Sequence, residues 1–349
     1  MEDSRYHPKT GLLLGWYDAE RRILPWREDP TPYHVWISEI MLQQTRVDTV
    51  IPYYERFLSE LPDVRALAEA PEDRLLKLWQ GLGYYSRVRN MQKAARQVVE
   101  RYGGKIPDQP KELEKLAGIG EYTAAAIASI AYQVRVPSVD GNLLRVFART
   151  TGYEESVRTP EAKKAAQAYF LELLPEDRPG DVNQALMDLG ATICLPNGAP
   201  DCGRCPWQDC CEAHRTGREA ELPLREEKKA RAVDRKTVLV IRTGGRYVIR
   251  RRGPKGLLAG LYEFPNEEGW LSEAEAAEAC RRLGLEPAGI RRLADAKHIF
   301  THREWHMRGY AVDAKPASPA EGLLQATADE LAKTYSIPTA FSAYLPDRG

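Results

Sequence analysis

The amino-acid sequence predicts a mainly α N-terminal region followed by an α+β C-terminal domain. Between Gly11 and Thr192 apolar residues recur at three- and four-residue spacing, with few β-branched runs. A charged stretch poor in apolar residues, Glu212 to Ala232, then interrupts the pattern. Beyond it β-branched runs alternate with helical spacing. The length of 349 residues also points to two domains, because single hydrophobic cores stop growing well below that size.

Taken in order, helices are predicted over Gly11–Arg21, Trp36–Gln44, Asp48–Glu60 and Gly83–Tyr102, separated by breaks at Pro and Gly. Helical spacing continues in Ala124–Ala131, Leu143–Thr150, Pro160–Leu174 and Val182–Thr192. In the C-terminal part, Lys236–Arg242 and Arg246–Arg251 flank Thr243-Gly244-Gly245, a hairpin signal. A helix is expected at Ser272–Leu283, strands at Ile290–Ile299 and Glu304–Val312, and a last helix at Ala326–Lys333. The expected boundaries are 1–211 for the helical domain, 212–232 for a linker and 233–349 for the second domain.

Fifty Lys and Arg balance fifty Asp and Glu, so the formal net charge is zero. The balance is uneven along the chain: 28 basic against 32 acidic side chains up to Ala220, and 22 against 18 from Glu221 onward. Lys228–Lys255 holds eleven Lys and Arg with one acid, Asp234, and Tyr84–Lys105 holds six against Glu100. A single such run reads as a solvated face or a linker, but two beside the motifs described below shift the balance towards phosphate contact. No apolar run reaches the length of a membrane span, and the N-terminus lacks the apolar stretch of a secretory signal.

Three constellations carry chemistry. Five of the six cysteines, Cys194, Cys202, Cys205, Cys210 and Cys211, fall within eighteen residues. Clustered thiols in a cytosolic chain suit tetrahedral zinc or a [4Fe–4S] cluster. The single C-x2-C knuckle favours iron–sulfur over a zinc ribbon, and either Cys210 or Cys211 can be the fourth ligand. Cys280, alone in a helical pattern, reads as a buried small hydrophobe. Second, Gly118-Ile119-Gly120 separates a short helix from a longer one, a turn that can aim backbone N–H groups at a phosphate. Third, Glu39 lies in an otherwise apolar helix, where burial raises a carboxyl pKa and suits it to donate a proton. Asp140, followed by Gly141-Asn142, stands where a helix starts and equally reads as an N-cap.

Glu39 with Gln43-Gln44-Thr45, the Gly118-Ile119-Gly120 turn, Val139-Asp140-Gly141-Asn142 and the cysteine loop resemble the endonuclease III superfamily. Within it the chain is similar to the MutY-type adenine DNA glycosylases, and Pro25-Trp26-Arg27 and Gln80–Tyr85 extend the likeness. The resemblance implies a helix-hairpin-helix glycosylase fold with an iron–sulfur loop, and a Nudix (MutT-like) C-terminal domain carrying Gly256–Pro265. It implies removal of adenine mispaired with 8-oxoguanine or guanine, after flipping the base from duplex DNA. Glu39 would then protonate adenine and Asp140 stabilise the sugar cation, with Tyr122 and Asn142 orienting them. Trp26, Arg27 and Gln184 would line the adenine pocket, while Gln44, Leu82 and Tyr84 would wedge into the duplex. Gly118 and Gly120 would hold DNA phosphate, and Phe300, Thr301 and His302 would read the lesion. Cys194, Cys202, Cys205 and Cys211 would ligate a [4Fe–4S] cluster, placing Arg204 near the phosphates.

Some positions depart from the family pattern. Tyr122 stands where bifunctional relatives carry a lysine nucleophile, which implies a base-only glycosylase. The first cysteine gap has seven residues where six are usual, and Thr301 replaces the usual serine. Ala277–Arg282 has arginines where Nudix enzymes place paired glutamates, so the second domain is expected to read lesions rather than hydrolyse pyrophosphates. The alternatives are an endonuclease III-like lyase, a lesion-binding module without catalysis, and a Nudix hydrolase. A cytoplasmic, nucleoid-associated bacterial monomer acting on double-stranded DNA, with no membrane partner, is the expected setting.

Overall fold

The computed structural model describes residues 5–224, 230–315 and 320–346. Residues 225–229 of the expected linker, with Lys228 and Lys229 of the basic run, lie outside the described residues, as do the first four and last three residues. The chain divides into two compact units. One comprises residues 5–69 and 90–224; the other comprises 70–89, 230–315 and 320–346.

The helices before the linker are α1 (Pro8–Glu20), α2 (Pro25–Glu28), α3 (Pro32–Leu42), α4 (Val47–Glu60), α5 (Val64–Glu69), α6 (Glu72–Leu78) and α7 (Ser86–Tyr102). They continue with α8 (Pro110–Leu113), α9 (Glu121–Tyr132), α10 (Gly141–Thr151), α11 (Pro160–Leu173), α12 (Pro179–Asp188) and α13 (Glu212–Arg215). Prolines at the first turn start α1, α2, α3, α8, α11 and α12, where a missing N–H costs nothing. Apolar α9, whose Thr123–Ile130 stretch is buried throughout, runs through the middle of the first unit and packs against α3 and α12. Its central position follows from being apolar on all sides.

Several expected boundaries shift for identifiable reasons. The helix expected to run to Gln44 ends at Leu42, and Gln44 takes a left-handed φ of 57°. The helix expected from Gly83 starts at Ser86, after Gly83 and Tyr84 at φ of 72° and 47°. The Val182–Thr192 pattern starts earlier, at Pro179, and changes at Leu189 into a π-helical turn reaching Ile193. The expected linker is not free along its described first half: Ala213 in α13 and Leu222 are buried, two apolar anchors in an otherwise charged stretch.

The second unit is built on a mixed sheet of β1 (Ala232–Thr243), β2 (Arg246–Arg251), β3 (Tyr262–Glu263), β4 (Asn266–Glu268), β5 (Pro287–Arg292), β6 (Ala296–Ile299), β7 (Arg303–Ala314) and β8 (Leu323–Ala326). Its long central strands β1 and β7 are parallel, from Ala232↔Arg303 to Thr243↔Ala314. Gly244 and Gly245, at φ of 56° and 78°, form the two-residue turn joining β1 to β2. The expected strand Ile290–Ile299 is two strands, β5 and β6, broken at 293–295. Helices α14 (Glu273–Arg282) and α15 (Ala328–Lys333) both begin with capping boxes, from Ser272 to Glu275 and from Thr327 to Glu330. Ala326, expected in the last helix, belongs to β8. One side of the sheet buries Val238, Trp305, Met307 and Phe341; the other buries Leu239, Ile241 and Val312 against Ala276, Ala279 and Cys280 of α14. Cys280 is fully buried, as its lone place in a helical pattern suggested.

Among the described residues no helix is long and apolar enough to cross a membrane. Gly309 of β7 has no space for a side chain, since an added Cβ would lie 2.3 Å from the Tyr344 ring. Gly309→Ala is therefore expected to destabilise the protein by about 2 kcal/mol through overpacking, measured as a lower denaturation midpoint at unchanged slope in urea.

Candidate active site

The first unit brings Glu39, Tyr122, Asp140 and Asn142 together from three elements, α3, α9 and the start of α10. Glu39 is 6% exposed, on a face of α3 whose neighbours Ile37, Ser38, Ile40 and Met41 are also buried. The Tyr122 hydroxyl donates to Glu39 Oε2 at 2.7 Å. Burial pushes the Glu39 pKa up to about 7; the charge of Asp140 adds to the rise, while the Tyr122 hydrogen bond and Arg27 oppose it. Tyr122 itself is held neutral: burial first, and then the negative charge of Glu39, raises its pKa well above 10. It can donate a hydrogen bond but offers no amine.

Asp140 caps α10, as its place before Gly141-Asn142 suggested. Its Oδ1 accepts from the backbone N–H groups of Asn142 and Leu143, each at 2.9 Å, and its Oδ2 accepts from Asn142 Nδ2 at 2.9 Å. Burial raises the Asp140 pKa, and these N–H donors with Arg145 pull it back towards the anion. Arg145, one turn on, donates to Asn142 Oδ1 at 3.0 Å and to the carbonyls of Gly190 and Cys194 at 2.8 Å. Two carboxylates thus occupy one poorly solvated region with unlike partners, the arrangement that separates an acid from a charge stabiliser.

A cavity of about 360 Å³ has Arg22, Leu24, Arg27 and Gln184 in its lining; Glu39, Tyr122 and Asp140 do not line it, and Arg27, whose charge acts on Glu39, is the link to the pair. Trp26 is not among its lining residues; it is buried and packs edge-on against Tyr54, 5.3 Å between centroids. Sequence reasoning overlooked Asp188. This carboxylate, 1% exposed, receives both Arg27 nitrogens at 2.7 and 2.9 Å and Arg22 Nε at 2.7 Å. An acid at the end of the apolar face formed by Val182, Ala185 and Leu186 was the available signal. The fork-to-carboxylate geometry fixes the Arg27 guanidinium in the cavity wall.

The hairpin turn has the backbone its glycines suggested. Gly118 sits at φ 75°, and a Cβ there would come within 2.6 Å of Asn90 Cβ. Gly120 is the N-cap of α9 and makes no side-chain capping bond, so the first-turn N–H groups are open to an outside acceptor.

Four of the clustered cysteines, Cys194, Cys202, Cys205 and Cys211, line a common cavity. Cys210 does not line it, and its thiol instead bonds the Trp207 carbonyl at 3.6 Å. The longer first gap is closed by a turn at Gly198, φ 77°, and by Asp201 N–H donating to the Ile193 carbonyl at 3.0 Å. The donor set suits thiolate ligation: backbone N–H groups of Trp207 reach Cys205, those of Ala213 and His214 reach Cys211, and Arg149 Nη1 lies 3.3 Å from Cys194 Sγ. Without a metal, burial pushes the Cys205 thiol up to about 12. Four half-buried thiols lining one cavity, with N–H donors aimed at Cys194, Cys205 and Cys211, fit a [4Fe–4S] cluster. Arg204 is exposed and lies 3.6 Å from Asp201.

The second unit contains the remaining predicted residues. Phe300 is anchored between His298 and Trp305, with ring centroids 4.6 and 4.9 Å away, and its N–H closes the β6–β7 turn on the Arg303 carbonyl. Thr301 and His302 are exposed at the tip of that turn. The Tyr84 hydroxyl, on the exposed loop before α7, hydrogen-bonds the Thr301 hydroxyl. Leu82, in contrast, is only 6% exposed. On α14, Arg281 pairs with Glu278 and Glu286, and Arg282 with Glu267, so cations occupy the positions where metal-binding glutamates were sought.

Because Glu39 titrates at about 7 folded against an ordinary 4.5, the folded state holds a proton that the unfolded state has lost between those values. Stability from this site is full below pH 4.5 and is lost as pH rises towards 7. Glu39→Gln is expected to stabilise the protein above pH 7 by about 3 kcal/mol more than below pH 4.5. Chemical denaturation at both pH values measures the difference.

Comparison with known proteins shows the family. The model for the HhH-GPD superfamily of base excision DNA repair proteins matches residues 37–176, and a NUDIX domain model matches 237–346. An adenine DNA glycosylase of Mus musculus is 36% identical over 88% of this chain and 71% of its own length. One from Buchnera aphidicola subsp. Schizaphis graminum is 37% identical over 85% of each chain. Among solved structures, a thermostable thymine-DNA glycosylase superposes with a TM-score of 0.54 at 28% identity, covering 59% of this chain and 95% of its own. A non-covalent endonuclease III–DNA complex shares the fold, with a TM-score of 0.50, 21% identity and coverage of 59% and 94%. With a helical HhH-GPD fold, a NUDIX-like second domain and this identity over most of its length, the chain belongs to the adenine DNA glycosylases, enzymes of base excision repair.

Proposed function

We propose that this glycosylase hydrolyses the N-glycosidic bond of adenine mispaired with 8-oxoguanine or guanine, by acid catalysis at Glu39 and cation stabilisation at Asp140. The observation that carries the reading is the buried Glu39 carboxyl, bonded to Tyr122 and close enough to Asp140 for the second charge to raise its pKa. Adenine leaves poorly as an anion, so departure needs a proton on the base; a carboxyl titrating near neutrality supplies it at adenine N7. As the C1′–N9 bond breaks, positive charge develops on the sugar. The Asp140 carboxylate, locked in place by three N–H donors, stabilises that charge or bonds transiently to C1′, and water then attacks.

To reach this pocket the adenine leaves the duplex, at a cost of a few kcal/mol in lost stacking and pairing. Gln44 and Tyr84 suit a wedge, being exposed and held at left-handed φ of 57° and 47°; Leu82 must turn outward to join them. Arg27 and Gln184 would contact the flipped base in their cavity, with Trp26 supporting the wall. Gly118 and Gly120 would present the α9 N-terminus to a phosphate. The exposed Thr301 and His302 at the β6–β7 tip would read the opposing 8-oxoguanine, Phe300 fixing the tip. Cys194, Cys202, Cys205 and Cys211 would hold a [4Fe–4S] cluster, which when bound cross-links their loop. Tyr122 in place of an amine supports a base-only reaction; the substrate of this reading is double-stranded DNA and the enzyme a monomer.

Asp140→Asn is expected to abolish adenine release from an 8-oxoguanine:adenine duplex in single turnover while duplex affinity persists; full-rate release by this variant would overturn the mechanism. His302→Ala is expected to lower the preference for 8-oxoguanine:adenine over guanine:adenine by about tenfold, the value of one charged or polar contact. Rate constants on both duplexes measure it.

A further inference from the structure

The loop between α6 and α7 is held by one cation. Arg87, at the start of α7, is stacked between two rings, its guanidinium carbon 5.2 Å from the Trp79 centroid and 5.5 Å from the Tyr84 centroid. Its Nη2 donates to the carbonyls of Leu82 at 3.0 Å and Gly83 at 3.2 Å. The fully buried Trp79 adds a bond from Nε1 to the same Gly83 carbonyl at 2.9 Å. These contacts hold a loop with left-handed backbone at Gly81, Gly83 and Tyr84, and the Tyr84 ring they support is the one bonded to Thr301. A non-glycine residue at φ 47° persists only where its surroundings enforce it.

We propose that Arg87 is a positioning residue for lesion discrimination: its guanidinium, clamped between Trp79 and Tyr84 and bonded to the Leu82 and Gly83 carbonyls, fixes the Tyr84 phenol where it meets Thr301. The inference rests on the wedge and lesion-reading roles given above to Tyr84 and Thr301. Arg87 contacts no substrate in this account; it acts through the loop. The flat cation is needed, because one nitrogen serves both carbonyls while the guanidinium lies against two rings. A lysine keeps the charge and the N–H donors but has no planar face to set against the rings.

The test is the ratio of single-turnover adenine release from 8-oxoguanine:adenine and guanine:adenine duplexes, which does not depend on the fraction of folded enzyme. Tyr84→Ala alone examines the wedge reading; an unchanged ratio there defeats that reading whatever Arg87 does. With Tyr84→Ala lowering the ratio, Arg87→Ala and Arg87→Lys are each expected to lower it by about tenfold, and the Tyr84→Ala, Arg87→Ala pair by no more than Tyr84→Ala alone. A ratio unchanged in Arg87→Ala, effects that multiply in the double variant, or full rescue by Arg87→Lys would overturn the positioning role while leaving the wedge reading intact.

Discussion

The candidate active site depends on keeping two carboxylates largely out of water without leaving either unpartnered. A buried, unbonded carboxylate is too costly to retain, and a fully solvated one does not hold a proton near neutrality. The chain resolves this by giving the two acids different partners. Glu39 has a neutral phenol and the apolar sides of α3 and α9, so its proton is retained to about pH 7. Asp140 has the open N–H groups of a helix start, which favour its charge. The packing of α3 on apolar α9 and the start of α10 at Gly141 both serve that division.

Helix α10 extends the same logic away from the chemistry. Arg145 reaches from the Asn142 amide to the Gly190 and Cys194 carbonyls, and Arg149 reaches Cys194 Sγ and the carbonyls of Leu195 and Leu222. Both arginines are buried, and each bonds at least one backbone or sulfur acceptor of the cysteine loop. One helix therefore ties the Asp140 cap to the thiols that fit a cluster. Asp188 plays the matching part on the cavity side, a buried carboxylate made acceptable there by pairing with both Arg22 and Arg27.

In the second unit a NUDIX-like sheet persists while the acidic pattern of a metal-dependent hydrolase does not. Arg281 and Arg282 pair with nearby glutamates on the surface of α14, and the exposed polar tip lies instead at the β6–β7 turn. The neutral total charge has a related meaning. Many basic side chains are already paired within the protein, as Arg250 and Arg252 are with Glu263, so a local run of Lys and Arg in sequence is not a measure of free positive surface.

Local chemistry made much of this legible in advance. Asp140 before Gly141-Asn142 announces a helix start, Gly118-Ile119-Gly120 a hairpin, and Gly244-Gly245 a two-residue turn, because caps and left-handed turns are decided by adjacent residues. Glu39 in an apolar helix announces a perturbed acid. What adjacent residues could not decide is which distant groups meet. Asp188 beneath Arg27, Arg87 between Trp79 and Tyr84, the exclusion of Cys210 from the thiol cavity, and the burial of Leu82 all depend on side chains brought together across the fold. The sequence by itself determined most of the longer helices, the glycine turns, and the places of Glu39 in an apolar helix and Asp140 at a helix start, since each rests on short-range spacing. Only the tertiary structure decided their partners, because hydrogen bonds and burial are set by distance in space.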